Sequence, residues 1–125
     1  HIGIMPQSVR GKFRYKGKTK IEKKNLLKDS KSLEDAGVFA IVLECIERKL
    51  SKEITESINI PTIGIGSSNF CDGQILVTDD LLGLTDTKIK FVKKYADLKS
   101  NVRNAAKKFK LDVKKGSYPS IKYSY

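Results

Sequence analysis

Residues 39–45, Phe-Ala-Ile-Val-Leu-Glu-Cys, form a nearly unbroken apolar run with one carboxylate just before its end. A run of this length and β-branched content predicts a strand covered on both faces, as in a parallel sheet packed between helices. Side chains alternate along a strand, so Ala40, Val42 and Glu44 share one face, and Phe39, Ile41, Leu43 and Cys45 share the other. The bulky set is expected against helices and the smaller set inward, together with the acid. A buried charge is costly unless it is paired, solvated or used. A Glu at the strand rim, reached by water or by a Lys, satisfies the same pattern.

The rest of the chain alternates in kind. Residues 1–7 are short and apolar, and Pro6 ends any strand there. From Glu22 to Ala36 the positions Leu26, Leu27, Leu33 and Ala36 fit one helix face, and Gly37 lies where a left-handed cap stops it. A second helix is expected from Glu47 to Ile58, with Leu50, Ile54 and Ile58 one turn apart and Pro61 forbidding continuation. Residues 62–66 read as a second buried strand, residues 67–73 as a turn-rich loop, and residues 74–78 as a further strand. Thr62, Gly64 and Gly66 share a nearly bare face, which suits either an open space or close backbone packing. In the tail, Phe91, Val92, Tyr95 and Leu98 make one apolar stripe. Val102, Ala105, Ala106, Phe109 and Val113 make another, with Ser100 as an N-cap and Gly116 and Pro119 as stops. Helix, strand, helix, strand with short loops is the pattern of βα units on a parallel sheet. No repeat or linker separates a second domain, so residues 1–125 are expected to belong to one.

Composition narrows the classes. With 125 residues, 39% hydrophobic and 31% charged, the chain has a globular composition and one modest core. No apolar run reaches membrane-spanning length and nothing resembles a signal peptide, so a cytoplasmic protein without a membrane partner is expected. The first residue is His1 rather than Met, as expected of a fragment, a processed product or a partly resolved chain. Two cysteines and one histidine leave no metal-cluster spacing, and reduced thiols are the simpler reading. The net charge of +11 divides into +8 over residues 1–28, −7 over residues 29–86 and +10 over residues 87–125. An acidic middle between basic ends is not the uniform coat of a nucleic-acid-binding protein. Even so, Arg10, Lys12, Arg14, Lys16, Lys18 and Lys20 alternate around Phe13 and Tyr15. Such interleaving suits single-stranded nucleic acid, a smaller anion, or plain solvation. The lysines of the tail fall mostly off the apolar stripes and read as a solvated face.

Several motifs taken together become specific. The stretch His1-Ile2-Gly3-Ile4-Met5-Pro6-Gln7-Ser8-Val9, the run from Phe39 to Cys45, Ile60-Pro61-Thr62-Ile63-Gly64-Ile65-Gly66 and Cys71-Asp72-Gly73-Gln74-Ile75-Leu76-Val77 occur in order. With Phe91-Val92-Lys93-Lys94-Tyr95-Ala96 and Gly116-Ser117-Tyr118-Pro119, they resemble ketopantoate hydroxymethyltransferase over most of the chain.

The resemblance implies an α/β fold, a (βα)8 TIM barrel. Such barrels need about 250 residues, so this chain corresponds to the C-terminal half, from the end of strand 5 through strand 8 plus the C-terminal helices. It implies hydroxymethyl transfer from 5,10-methylenetetrahydrofolate to 3-methyl-2-oxobutanoate, giving ketopantoate for pantothenate and coenzyme A synthesis. The family's proton-abstracting base falls on Glu44, and its substrate-binding histidine falls on His1. The family's Mg2+, which stabilises the enolate, is implied to be held by carboxylates of the N-terminal half, so no metal ligand is assigned here. The implied partners are the 2-oxo acid, the folate, the N-terminal half of the barrel and further copies in a homo-oligomer. This half alone is expected to be inactive.

The chain departs from the family pattern at Glu47, where Pro is usual, at Ser67-Ser68, where Ala-Gly is usual, and at Val77-Thr78, where Trp or Met precedes His. The loop over residues 10–18 is shorter and more basic than usual. The alternative from another class is a single-stranded nucleic-acid-binding module built on residues 10–20 and the basic tail. A third reading gives the basic loop the anionic polyglutamate tail of a folate.

Overall fold

The structure, a computed structural model, describes residues 1–5 and 14–125. Within residues 1–76, which form one compact unit, the order is β1 (Ile2–Gly3), α1 (Lys20–Asp35), β2 (Ile41–Glu44), α2 (Arg48–Ser57), β3 (Thr62–Ile65) and β4 (Gly73–Gln74). The four strands form one parallel sheet in the order β1-β2-β3-β4, the same as their order along the chain. The α/β class and the parallel sheet expected from the apolar runs are therefore present.

Local chemistry fixes the helix ends. Thr19 and Glu22 form a reciprocal capping box that starts α1 two residues earlier than the apolar pattern suggests. Gly37, at φ 82°, lies just beyond its end. Glu47 caps α2 by accepting a hydrogen bond from the Leu50 amide at 3.0 Å. In the sheet, Ile41 aligns with Thr62, Leu43 with Gly64, and Glu44 with Ile65. Ile41 and Leu43, both fully buried, pack with Leu26 of α1 and with Leu50 and Ile54 of α2. Burying each such side chain contributes about 1.5–3 kcal/mol. The bulky face of β2 meets the helices, as its alternation predicts.

In this unit two expectations are corrected and one left open is decided. Phe39 lies outside β2 and is 90% exposed, because sheet pairing begins where the Ile41 amide donates to the Pro61 carbonyl. The bare face of β3 is not the face of Glu44. Aligned residues of parallel strands point the same way, so Thr62 and Gly64 share the helix-facing side with Ile41 and Leu43. There, close packing accounts for the glycine: a Cβ on Gly64 would stand 3.0 Å from the Gln74 amide group and 3.1 Å from Cys71 Sγ. Thr62, also fully buried, donates from its amide to Asp72 Oδ2 at 2.8 Å and from its hydroxyl to the same oxygen at 3.0 Å. Finally, the strand expected over residues 74–78 shortens to β4. The Ile75 amide still bonds the Gly64 carbonyl, and a helical turn then begins at Thr78.

Residues 77–125 form a second compact unit. It holds the short α3 (Thr78–Leu81), the long α4 (Leu98–Lys114) and a 3-10 turn at Ile121–Tyr123. Phe91, Val92 and Tyr95 are not helical, against the stripe that links them. The Tyr95, Leu98 and Lys99 amides bond the carbonyls of Leu81, Leu82 and Gly83, so the chain folds back on the end of α3 instead of closing its own turns. Asp97, not Ser100, caps α4, accepting from the Ser100 amide at 3.2 Å. Gly116, at φ 69°, ends it as the sequence suggests.

Candidate active site

Glu44 is the last residue of β2, at the C-terminal end of an inner strand of the parallel sheet. Its face, shared with Val42, Ile63 and Ile65, points away from the cluster that α1 and α2 cover. The side chain is 12% exposed, and the Nε2 atom of His1 stands 3.1 Å from its Oε2. The two residues singled out in the sequence, 43 positions apart, are thus brought together. Pairing of β1 with β2 does this: Ile2 aligns with Leu43 and Gly3 with Glu44, which sets His1 at the head of the neighbouring strand.

Burial withdraws water from the Glu44 carboxylate and holds its pKa above the ordinary value. A protonated imidazole at 3.1 Å would pull the other way. A carboxylate with a raised pKa, beside a ring that can donate one hydrogen bond, is suited to taking a proton from carbon near neutral pH.

The backbone leaves the strand abruptly after Glu44. Cys45 adopts φ 51°, in the left-handed region unfavourable to a residue with a side chain. Neighbouring segments anchor this turn on several sides. The Ile4 amide donates to the Glu44 carbonyl at 2.9 Å, the Cys45 amide to the Ile65 carbonyl at 2.9 Å, and the Lys16 amide to the Cys45 carbonyl at 2.8 Å. Ser67 Oγ donates to the Leu43 carbonyl at 2.6 Å and accepts from the Ile46 amide at 3.0 Å. Gly3 permits the approach of β1, since a Cβ there would stand 2.2 Å from the Glu44 carbonyl oxygen. Burial, aided by the charge of Glu44, pushes the Cys45 thiol up to about 11, which keeps it protonated near neutral pH. Cys71 is likewise a buried free thiol.

The sequence reading missed Gly3, Lys16 and Ser67 as supports of the site. Their role lies in backbone pairing between distant segments, and only Ser67 carried a signal, as a departure in a glycine-serine loop. Of the basic stretch, Arg10, Lys12 and Phe13 lie outside the described residues. Tyr15 is half-exposed, with Lys18 Nζ 4.3 Å from its ring centre. Among the described residues no cluster of three or more His, Cys, Asp or Glu forms a metal site. The donors at Glu44 are one carboxylate and one imidazole already in contact, fewer oxygens than Mg2+ takes. These residues alone do not fit the ion. Also among the described residues, no helix is long and apolar enough to cross a membrane.

A family model described as ketopantoate hydroxymethyltransferase matches residues 1–121. The chain belongs to this family. It is similar to the 3-methyl-2-oxobutanoate hydroxymethyltransferase of Pelagibacter ubique, with 54% identity over 125 residues covering all of this chain and 48% of the relative. The enzyme of the same name from Clostridium kluyveri is 51% identical over 128 aligned positions, again across the whole chain and 46% of the relative. That of Thermotoga maritima is 49% identical, with 47% of its length covered. The chain spans about half the length of the curated relatives it matches. Within this ketopantoate hydroxymethyltransferase family member, Glu47, noted above as a departure, serves as the α2 cap.

Proposed function

We propose that the chain is the C-terminal half of a (βα)8 barrel, strand 5 end through strand 8, that transfers a hydroxymethyl group from 5,10-methylenetetrahydrofolate to 3-methyl-2-oxobutanoate. The product is ketopantoate, for pantothenate and coenzyme A synthesis. The observation that carries this reading is the buried Glu44 carboxylate at the C-terminal end of β2, with His1 Nε2 at 3.1 Å. Barrel active sites lie at that end of the strands. A parallel sheet whose spatial order follows chain order without reversal supports the barrel wall over a doubly wound sheet. Residues 1–125 then belong to a single barrel domain.

In this reading Glu44 accepts the proton from the carbon next to the ketone of the bound oxo acid. The C–H electron pair passes into an enolate, and that carbon attacks the one-carbon unit. One water supplies the hydroxyl oxygen and tetrahydrofolate leaves, which balances the transfer. The raised pKa strengthens Glu44 as a base at the cost of requiring a pH above it. His1 hydrogen-bonds substrate or product and orients the carboxylate. Mg2+ ligands, in this reading, belong to the N-terminal half, together with the remaining barrel wall. The working enzyme is cytoplasmic and homo-oligomeric.

The test uses the full-length protein in heavy water, following loss of the C3 proton of 3-methyl-2-oxobutanoate. Glu44→Gln is expected to slow exchange by about 10²-fold or more while the acid still binds. Unchanged exchange and turnover in that variant overturn the assignment.

A further inference from the structure

The basic stretch around Tyr15 is a motif that the proton transfer leaves unused, and its described part lies against the turn that carries Glu44. The Lys16 amide donates to the Cys45 carbonyl at 2.8 Å, and the Glu47 amide donates to the Lys16 carbonyl at 2.9 Å. Lys16 thereby bridges Ile46 in parallel, so residues 14–18 run beside the chain where it leaves β2. Gly17 is buried in this contact, and a Cβ there would stand 2.6 Å from Leu50 Cδ2. Arg14, Lys16, Lys18 and Lys20 are all exposed, and among the described residues none of them forms a salt bridge. The nearby carboxylates are engaged otherwise. Glu22 Oε2 accepts from the Gly17, Lys18 and Thr19 amides at 3.2, 2.8 and 3.3 Å. Glu47 caps α2 and stands 3.9 Å from Lys23 Nζ. Four cations within seven residues are thus held at the rim with no carboxylate paired to them.

We propose that residues 14–20 form a subsite for a row of carboxylates, the glutamate tail of the folate co-substrate. This rests on the hydroxymethyl-transfer reading. The one-carbon unit sits towards one end of a folate, and the glutamates extend from the other. With the reacting end held at Glu44, the tail leaves across the rim, where Lys16 is one hydrogen bond removed from Cys45. A flexible polyanion is held by charge more than by shape, which suits exposed Lys and Arg. Single-stranded nucleic acid asks for charge and for stacking rings as well. Among residues 14–20 only Tyr15 offers a ring, and Lys18 Nζ lies over it at 4.3 Å. The polycarboxylate fits better. Proton abstraction at Glu44 does not depend on this segment, which agrees with its being more basic here than the family pattern requires.

The experiment uses the full-length protein with 5,10-methylenetetrahydrofolate carrying one glutamate or five. In the wild type the pentaglutamate is expected to show a KM about tenfold below that of the monoglutamate. The gap is expected to close as salt rises from about 0.05 M to about 0.5 M, because exposed charges are screened. Arg14→Gln, Lys18→Gln and Lys20→Gln combined spare the Lys16 backbone contacts. They are expected to bring the two KM values to within about twofold of each other. Arg14→Lys, Lys18→Arg and Lys20→Arg combined keep the charges and are expected to keep the gap, which separates charge from folding. Equal KM values in the wild type, or a gap unchanged in the triple Gln protein, overturn the proposal. Binding of an oligothymidylate that the triple Gln protein loses, with tail length without effect, also overturns it and gives the patch to nucleic acid. If both folates are turned over with equal KM, the subsite alone fails. If neither is a substrate, the functional reading fails and this proposal with it.

Discussion

His1 and Glu44 meet at 3.1 Å, Nε2 to Oε2, at the edge of a parallel sheet whose strands place them side by side. The carboxylate is 12% exposed and the imidazole 34%, so the contact has a buried end and an open end. The acid is pushed towards its neutral form by burial while the ring keeps access to solvent. In the proposed reading, that asymmetry gives the pair two different jobs. Glu44 holds a proton more readily than an ordinary carboxyl group, and His1 is placed to exchange hydrogen bonds with whatever enters from the open side.

Glu44 is expected to destabilise the fold at neutral pH. Its pKa is raised above the ordinary 4.5 by burial, so the native state binds this proton more tightly than the unfolded state. The stability it adds is therefore fully present below about 4.5 and is lost as pH rises through the raised native value. Glu44→Gln, a neutral near-isostere, is expected to show a Tm at pH 7 equal to or above that of the wild type. The gap is expected to narrow as pH falls towards 4. Thermal melts across that range check it, and a Gln variant that is less stable at pH 7 than at pH 4, relative to wild type, contradicts it.

Removing the His1 ring acts on Glu44 in the opposite sense to exposing it. An imidazole N–H donated to the carboxylate favours the charged form, and its loss leaves burial unopposed. In His1→Ala the acid limb of kcat/KM is expected at higher pH than in the wild type. KM for the oxo acid is expected to rise about tenfold, the scale of one hydrogen bond to a charged group. Steady-state kinetics between pH 5 and 9 read both quantities at once. An acid limb that stays in place shows that the ring does not support the carboxylate.

What was legible in the sequence follows from the range of the interactions involved. The apolar run over residues 39–45 revealed a buried strand because both burial and alternation are local, and the caps at Gly37 and Gly116 followed from single residues. Register was not local. The bare face of Gly64 and the face of Glu44 are each legible on their own strand, yet the relative phase of two strands depends on the pairing of Leu43 with Gly64. The stripe through Phe91, Val92, Tyr95 and Leu98 had helical spacing, but the backbone amides of Tyr95 and Leu98 found partners at the end of α3. The contact of His1 with Glu44 had no local signature, and Ser67 stood out only as a departure from the family pattern, with nothing to show that it bridges Leu43 and Ile46. Both are products of strand order.

Gly3 and Gly37 separate steric from conformational need. Both have positive φ, 102° and 82°. A Cβ on Gly37 meets nothing within 4 Å, so Gly37→Ala is expected to cost only the backbone preference, about 1 kcal/mol. A Cβ on Gly3 would stand 2.2 Å from the Glu44 carbonyl oxygen and 2.9 Å from Ile46 Cγ1. Gly3→Ala must push β1 away from β2, at a cost of about 3 kcal/mol or more. Denaturant unfolding of the two variants in the full-length protein gives the comparison, and equal losses refute the steric argument. Because β1 carries His1, Gly3→Ala is also expected to raise KM for the oxo acid in the protein that remains folded.

Cys45 offers a chemical report on the charge of its neighbour. Burial, with a further contribution from the Glu44 carboxylate, takes its thiol from 9.0 to about 11. Two units reduce the thiolate present at pH 8 by about a hundredfold. Alkylation of Cys45 in the native protein is therefore expected to be at least about 100-fold slower than in the denatured chain, and limited access slows it further. Glu44→Gln removes the neighbouring charge, so the thiol pKa falls and native-state alkylation quickens. The increase should be present at pH 8, where wild-type Glu44 is ionised, and should fade at a pH low enough to protonate it. Peptide-resolved mass spectrometry after timed alkylation measures the rates. Equal rates for native and denatured Cys45 would show that the thiol is not buried. A Glu44→Gln protein with an unchanged native rate at pH 8 would show that the carboxylate does not act on it.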